Sequence, residues 1–360
     1  MAWGRPYTLG RSGLSMKRLS LEFTRPYQVT VIDASLPEPA PHQVLVKTIC
    51  SAISPGTEML VYRGQWPEGV LLDDTIPALA REFSYPLKYG YSAVGRIAEI
   101  GSEVDAQWLN KHVFSFNPHE SHFLALPDQL IPLPVSMPPE QAALLPNMET
   151  AMSFVMDGRP LIGEQVAVFG QGVVGLLTTA SLARFPLARL LTLDAYRVRR
   201  QCSVEFGATQ SLDPTGANVI DELRKCARAE QAGAGFDLTY ELSGNPAALN
   251  QAIAATGFDG RVVIGSWYGA KRVDLGLGGR FHRGRIKLIS SQVSRLAPEL
   301  TALWTKSRRL KFALRMLEEL RPASLITHRF SILQAPEAYD LLDRMPEEAI
   351  QMIFTYEDVG

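Results

Sequence analysis

Three glycines and an acid are the residues of this chain whose types and spacing most directly imply a chemistry. Gly170, Gly172 and Gly175 are set in the run Gly170-Gln171-Gly172-Val173-Val174-Gly175, and Asp194 follows 19 residues after the last of them (194 − 175). Each has a physical task in holding a dinucleotide. Gly170 permits a tight turn from strand to helix, Gly172 lets backbone approach a pyrophosphate, and Gly175 lets the helix sit close against the strand. Unpaired N–H groups at the helix start, including those of Val173 and Val174, then face the phosphates. At this distance Asp194 can accept hydrogen bonds from a ribose 2′-hydroxyl, which points to NAD.

Such a triplet also occurs in ordinary turns, so the elements around it decide. Residues 166–169 form a short apolar run suited to a buried parallel strand, and residues 176–185 have helical character. Residues 188–193 form a second apolar run that ends in the acid. A glycine-rich turn in a non-binding α/β domain would need none of this context. From Gly163 onward strand and helix alternate. Helices are expected over 197–206, 218–229 and 246–256, and strands over 210–212, 236–241, 261–264 and 285–290. A doubly wound six-stranded parallel sheet, a Rossmann domain, follows. Ser243-Gly244-Asn245 and Gly265 close two of its strands, so Ser243, Gly244 and Gly265 are candidates to face the cofactor. Arg197, Arg199 and Arg200 lie just past Asp194; Arg199 is either a contact for a 2′-phosphate, which keeps NADP open, or a helix-surface charge.

The first part of the chain reads differently. After a loose segment to Met16, strands are expected over 18–23, 27–32, 43–49, 89–97, 113–116 and 123–126, a β-rich unit without helical period. Ser54-Pro55-Gly56-Thr57-Glu58 can start a short helix, residues 64–88 are irregular, and 138–157 is expected to be helical despite Pro146. His119 and His122 make an H-x-x-H pair with Cys50 nearby in sequence, yet a metal site needs three or four converging ligands. Past Glu299, helices are expected over 310–320 and 336–344 and a last strand over 350–356.

Composition sets the outer limits. The chain has 360 residues, long for one core, with 46% hydrophobic and 20% charged residues and a net charge of −1. Nothing in that balance advertises nucleic acid or an anionic membrane. Three scattered cysteines suggest no disulfide framework, and no apolar run approaches a membrane span, so a cytoplasmic location is expected.

On these residues the chain resembles the medium-chain dehydrogenase/reductase superfamily, the alcohol-dehydrogenase-like fold. The resemblance is carried by Gly90-Tyr91-Ser92-Ala93-Val94-Gly95, by residues 170–175, by Ser243-Gly244-Asn245, and by His328-Arg329-Phe330 with Ala338-Tyr339. It implies a GroES-like catalytic domain over 1–155, a dinucleotide-binding domain over 156–292, a return to the first domain over 293–360, and substrate in the cleft between them. It also implies a homodimer joined at the edge strand near 285–290, with the apolar run 262–268 compatible with that contact. Zinc-dependent members carry Cys-Gly-Thr/Ser-Asp where this chain has Pro55-Gly56-Thr57-Glu58, and Gly-His-Glu where it has Gly90-Tyr91-Ser92. Their third ligand falls near Pro146, and the four-cysteine lobe expected after Val113 is absent. The expectation is therefore no zinc. Ser54-x-Gly56-Thr57-Glu58 with Pro86-x-x-x-Gly90-Tyr91 is similar to the zinc-free branch containing bacteriochlorophyllide a dehydrogenase, which acts on a hydroxyethyl group of a large ring. Residues 64–88, with Trp66, Phe83 and Tyr85, could wall such a planar substrate.

The resemblance implies catalytic roles for Thr57, at the position of a proton-relaying hydroxyl, and for Tyr91, in the space a metal ligand vacates. Glu149, a third catalytic candidate, and Thr150, a cofactor contact, fall where relatives touch the nicotinamide. Three activities stay open: an alcohol/ketone dehydrogenase, an enone or quinone reductase, and a nucleotide-binding protein without turnover.

Overall fold

A computed structural model describes residues 16–73, 75–76, 79–227 and 235–356. The opening segment before Met16 and the end of the helix expected to reach Ala229 lie outside the described residues. Strands β1 (Met16–Arg25) and β2 (Gln28–Leu36) form an antiparallel hairpin. Next come β3 (Val44–Ala52) and the short helix α1 (Pro55–Tyr62), with proline at its start, where a missing N–H costs nothing. Strands β4 (Ala93–Ile100), β5 (His112–Ser115), β6 (His122–Ala125) and β7 (Ile131–Pro132) complete the first half.

The helical region before the glycine triplet is two helices, not one. α2 (Pro139–Ala142) stops, and α3 (Leu145–Gly158) starts afresh with Pro146 in its first turn. Proline lacks the donor a continuous helix would need there and suits a helix start. Then follow β8 (Gln165–Phe169), α4 (Val173–Leu182), β9 (Arg189–Leu193), α5 (Arg197–Glu205), β10 (Gln210–Leu212) and α6 (Val219–Cys226). β11 (Phe236–Glu241), α7 (Pro246–Ala255), β12 (Thr256–Ile264) and β13 (Lys287–Ser290) finish the second half. These six strands form one parallel sheet in the order β10-β9-β8-β11-β12-β13. The order reverses between β8 and β11, which opens a crevice at their carboxyl ends, where such sheets bind ligands.

The tail contributes α8 (Lys306–Leu320), β14 (Ile326–Ser331), α9 (Ala335–Arg344) and β15 (Gln351–Thr355). β15 pairs antiparallel with β3 and parallel with β14, so the end of the chain joins the first sheet, ordered β14-β15-β3-β4-β5-β7. β14 has no counterpart in the sequence expectation. Its pattern is half-exposed and short, and its partner lies twenty residues or more downstream. α3 and α8 pack together with α4, so the helix expected at the domain boundary is shared by both halves. Among the described residues, no helix is long and apolar enough to cross a membrane.

Candidate functional site

The glycine turn has the geometry its sequence implies. Gly170 sits at φ +92°, and a Cβ there would lie 2.6 Å from the Ser243 nitrogen. A Cβ on Gly175 would lie 2.0 Å from the Gly170 carbonyl oxygen, so helix and turn meet at backbone contact. A Cβ on Gly172 would meet nothing within 4 Å, which leaves open space above the start of α4. No side chain caps that helix, and its first N–H groups are available to phosphate. Asp194 is buried at the end of β9, where Oδ2 accepts from the Gln171 N–H at 2.7 Å and Oδ1 from the Tyr196 N–H at 2.8 Å. Each oxygen keeps a lone pair for a ribose hydroxyl. These residues fit a nicotinamide dinucleotide.

The adjoining strand end is organised by Glu241, buried at the end of β11 and not singled out in the sequence. Its Oε1 accepts from the Ser243 N–H at 2.8 Å and the Ser243 hydroxyl at 2.5 Å, and its Oε2 accepts from the Tyr268 hydroxyl at 2.5 Å. Gly244 donates to Ser266 Oγ at 2.8 Å. Ser243, Gly244, Gly265, Val173, Val174 and Thr150 all line one cleft. The Thr150 hydroxyl is spent on the Pro146 carbonyl at 2.8 Å.

Arg199 is half-buried, and its Nη2 is held by the tail of the chain. Its Nη2 donates to the carbonyls of Pro346 and Ala349 at 2.7 and 2.8 Å, and its guanidinium stacks on Tyr196. No local pattern announces that contact with the tail. Arg200 is likewise committed, donating to the Asp194 and Ala195 carbonyls and pairing with Asp213 at 3.1 Å. Arg197, the first residue of α5, is exposed.

The cleft measures about 970 Å³ and runs between the two halves. On the first half it holds Ser54, Thr57 and Tyr91, whose hydroxyls form a triangle. Thr57 Oγ1 lies 2.8 Å from the Tyr91 hydroxyl and donates to Ser54 Oγ at 3.0 Å, and Ser54 Oγ also bonds the Tyr91 hydroxyl. Ser54 stands at the N-cap of α1 but does not cap it, which frees its hydroxyl for Tyr91. Glu58 takes the other half of that role, its Oε1 accepting from the Ser54 N–H at 2.7 Å. Burial pushes the Tyr91 phenol up to about 12, against the pull of hydrogen bonds from Ser54 and Thr57, so it is neutral at ordinary pH.

Glu149 also lines the cleft, but its carboxylate is already paired. Oε1 accepts from Arg309 Nη2 at 2.9 Å and Nε at 3.3 Å, in a buried pair that joins α3 to α8. No local pattern points to Arg309, 160 residues away. The three rings expected in the wall do not line the cleft. Trp66 stacks on Phe83, Phe83 packs edge-on to Tyr85, and the Tyr85 hydroxyl bonds the Val61 carbonyl, so these rings pack among themselves. Within the expected segment 64–88, residues 69–73 and Ile76 do line the cleft, together with Leu60, Tyr89 and Trp267. Within the run 262–268, Val262 and Val263 are buried in the sheet's own core, and Trp267, still 40% exposed, packs against Trp66.

At the positions where the sequence resemblance places zinc ligands, the described side chains offer other chemistry. Pro55 carries no ligand atom, and the Tyr91 hydroxyl belongs to the triangle. His119 is buried between Glu58 and Ser51, whereas the His122 ring lies against Ser121. Burial pushes the Cys50 thiol up, away from the thiolate a metal needs. Among the described residues, no three His, Cys, Asp or Glu side chains gather to hold a metal ion.

No family model matches the sequence. The chain is similar to L-threonine 3-dehydrogenase of Pyrococcus horikoshii, 24% identical over 294 residues, covering 72% of this chain and 79% of that one. Its fold matches a zinc-dependent alcohol dehydrogenase 2 from Streptococcus pneumonia at TM-score 0.76 and 19% identity, over 95% of this chain and 99% of the other. An alcohol dehydrogenase from Escherichia coli, solved with NADH, matches at TM-score 0.75 and 16% identity, over 94% and 99%. The chain therefore has the alcohol-dehydrogenase-like fold, a GroES-like unit with a Rossmann domain.

Proposed function

We propose that this chain is a zinc-independent, nicotinamide-dependent oxidoreductase that interconverts an alcohol and a carbonyl, with Tyr91 as the proton-carrying group. The wider reading, an NAD(P)-dependent oxidoreductase of the medium-chain dehydrogenase type, is supported by the relative named a dehydrogenase and by the shared fold. The hydroxyl triangle of Ser54, Thr57 and Tyr91 carries the finer one, because it lines the cleft at the positions where the sequence resemblance implies metal ligands in zinc-dependent members.

The bound dinucleotide supplies the hydride donor or acceptor. The start of α4 holds its pyrophosphate, Asp194 takes its ribose diol, and the turns at Ser243–Gly244 and Gly265 border its reactive end. Tyr91 donates a hydrogen bond to the substrate oxygen, and its proton passes to that oxygen as the alcohol forms. Ser54, which accepts from Thr57, donates to the phenol oxygen and stabilises the charge left on it. In alcohol oxidation the same proton returns to Tyr91. A well-placed donor of this kind contributes on the order of 3 kcal/mol to stabilising oxyanion charge. That is less than a metal supplies, so the substrate is expected to bring its own activating conjugation.

The wall supports a bulky apolar substrate rather than a small zwitterion. Leu60, Val70, Leu71, Ile76 and Trp267 face the cleft, while Arg63 is paired with Asp343 at 2.6 Å and Asp73 accepts from Thr75 and Ile76. The test is NAD reduction with 1-phenylethanol and with L-threonine, by protein treated with a mild chelator and analysed for metal. Turnover of 1-phenylethanol alone, with no stoichiometric zinc, is expected. One zinc per chain, or activity only after zinc is added, sinks the metal-free reading. Saturation of an enone carbon–carbon bond without alcohol oxidation favours a reductase instead.

A further inference from the structure

Beneath the hydroxyl triangle lies a second polar cluster, fully buried and not used by the chemistry above. Glu58 and His119 are both 0% exposed, and His119 Nε2 lies 3.1 Å from Glu58 Oε2. The Tyr339 hydroxyl reaches the same oxygen at 2.5 Å. On its far side His119 Nδ1 lies 2.7 Å from Ser51 Oγ, which in turn lies 2.7 Å from the Tyr356 hydroxyl. The hydrogen bonds order in one direction: Tyr356 donates to Ser51, Ser51 to Nδ1, and Nε2–H to the Glu58 carboxylate. Five side chains from β3, α1, the segment before β6, α9 and the end of the chain thus satisfy one another where water does not reach. A half-satisfied cluster of this kind would be costly, so the groups hold one another in place.

Two contacts tie this cluster to the site. Glu58 Oε1 accepts from the backbone N–H of Ser54, whose hydroxyl bonds Tyr91. The His119 ring lies against Gly90, where a Cβ would approach Cδ2 and Nε2 to 2.8 Å, and Gly90 precedes Tyr91 in the chain. One pair therefore touches the backbone that carries each member of the Ser54–Tyr91 bond. We propose that the Glu58–His119 pair is a positioning unit that holds Ser54 and Tyr91 in register, so that the Tyr91 hydroxyl is presented to the substrate oxygen. The proposal rests on the role given to Tyr91 above.

The groups facing the Tyr91 phenol are Ser54 and Thr57 by hydrogen bond, Glu58 and Asp73 by charge, and the Tyr89 ring. Glu58 and Asp73 both favour the neutral phenol. Replacing Glu58 by glutamine keeps the shape and removes one negative charge, so it should also lower the pH at which Tyr91 ionises.

The experiment is a double-mutant cycle on the full chain, with NAD and 1-phenylethanol as the probe. Glu58→Gln should lower kcat on the order of 10- to 100-fold, the range seen when groups that orient functional side chains are lost. KM for NAD should be unchanged, and the pH midpoint of the Tyr91-dependent limb should move down. In a Tyr91→Phe background the same change should have no further effect. His119→Asn, which keeps the Ser51 contact and loses Glu58, should lower kcat to the same degree while leaving the pH limb in place, because the Glu58 charge remains. His119→Gln, which keeps a donor to Glu58, should restore most of the rate. Losses that multiply in the Tyr91→Phe background, or an unmoved pH limb in Glu58→Gln, overturn the positioning role while the role of Tyr91 survives. Tyr91→Phe at full activity, or no turnover of the probe by the unmodified chain, overturns both.

Discussion

At the scale of single residues, Tyr91 and Asp194 carry the sharpest expectations. Tyr91 is neutral until about pH 12 because burial penalises the phenolate. Carbonyl reduction, which needs the phenol as donor, should be flat across neutral pH and fall only as Tyr91 ionises. The same shift affects stability. The unfolded chain loses this proton near pH 10 and the folded chain does not, so stability is fully present below about pH 10 and falls as pH rises toward 12. Denaturant midpoints at pH 9 and 11 should differ less in Tyr91→Phe than in the unmodified chain; an equal drop in both would remove Tyr91 as a contributor. Asp194 makes a second prediction. With Arg199 and Arg200 committed elsewhere, the carboxylate should favour NADH over NADPH by about 1–3 kcal/mol, the scale of a lost hydrogen bond at a buried polar site. A titration in which NADPH binds more tightly overturns this, and Asp194→Ser should narrow the gap.

At the scale of elements, the strand–turn–helix and the α3–α8 contact behave differently under substitution. Gly175→Ala places a methyl 2.0 Å from the Gly170 carbonyl, so it should lower Tm and abolish NADH binding together. Gly172→Ala meets open space and should leave Tm unchanged while weakening NADH binding, because the methyl stands where phosphate would approach. Calorimetry on the pair separates folding from binding. Equal Tm losses would show that both glycines serve packing only. The Glu149–Arg309 pair is buried, and removing one partner strands a charge. Arg309→Met should therefore destabilise by about 3–5 kcal/mol, read as a shift in denaturant midpoint. A loss below about 1 kcal/mol, typical of an exposed pair, would mean that water reaches Glu149.

At the scale of the whole molecule, the two halves are fastened at several places around the cleft. α3 packs on α4 and α8, Arg199 reaches the carbonyls before β15, and Trp267 meets Trp66 with ring centroids 4.5 Å apart. β13 ends the parallel sheet and leaves one edge of its backbone without a strand partner among the described residues. Such an edge is a template for pairing, and two copies related by a two-fold axis would satisfy it. We expect a homodimer joined there. Light scattering should give twice the monomer mass at micromolar concentration, and a proline at Ile289 should return it to the monomer. A monomer from the unmodified chain counts against the expectation.

The glycine spacing, the alternation after Gly163 and the acid at 194 were enough to read the parallel sheet and its nucleotide turn. Those features are local: each depends on residues within about thirty positions, where backbone geometry and hydrophobic period act directly. Thr57 and Tyr91 were legible as candidates because two short motifs surround them. What the tertiary structure alone decided is which groups those residues meet. Ser54 joins them only because Glu58 relieves it of its place at the helix end. Glu58, His119, Ser51, Tyr339 and Tyr356 converge from positions up to 305 residues apart. Arg309 and Glu149 are 160 apart, and Arg199 spends its charge on carbonyls about 150 residues downstream. A buried polar group must find a partner wherever folding brings one, and that partner leaves no trace in the local pattern of the chain.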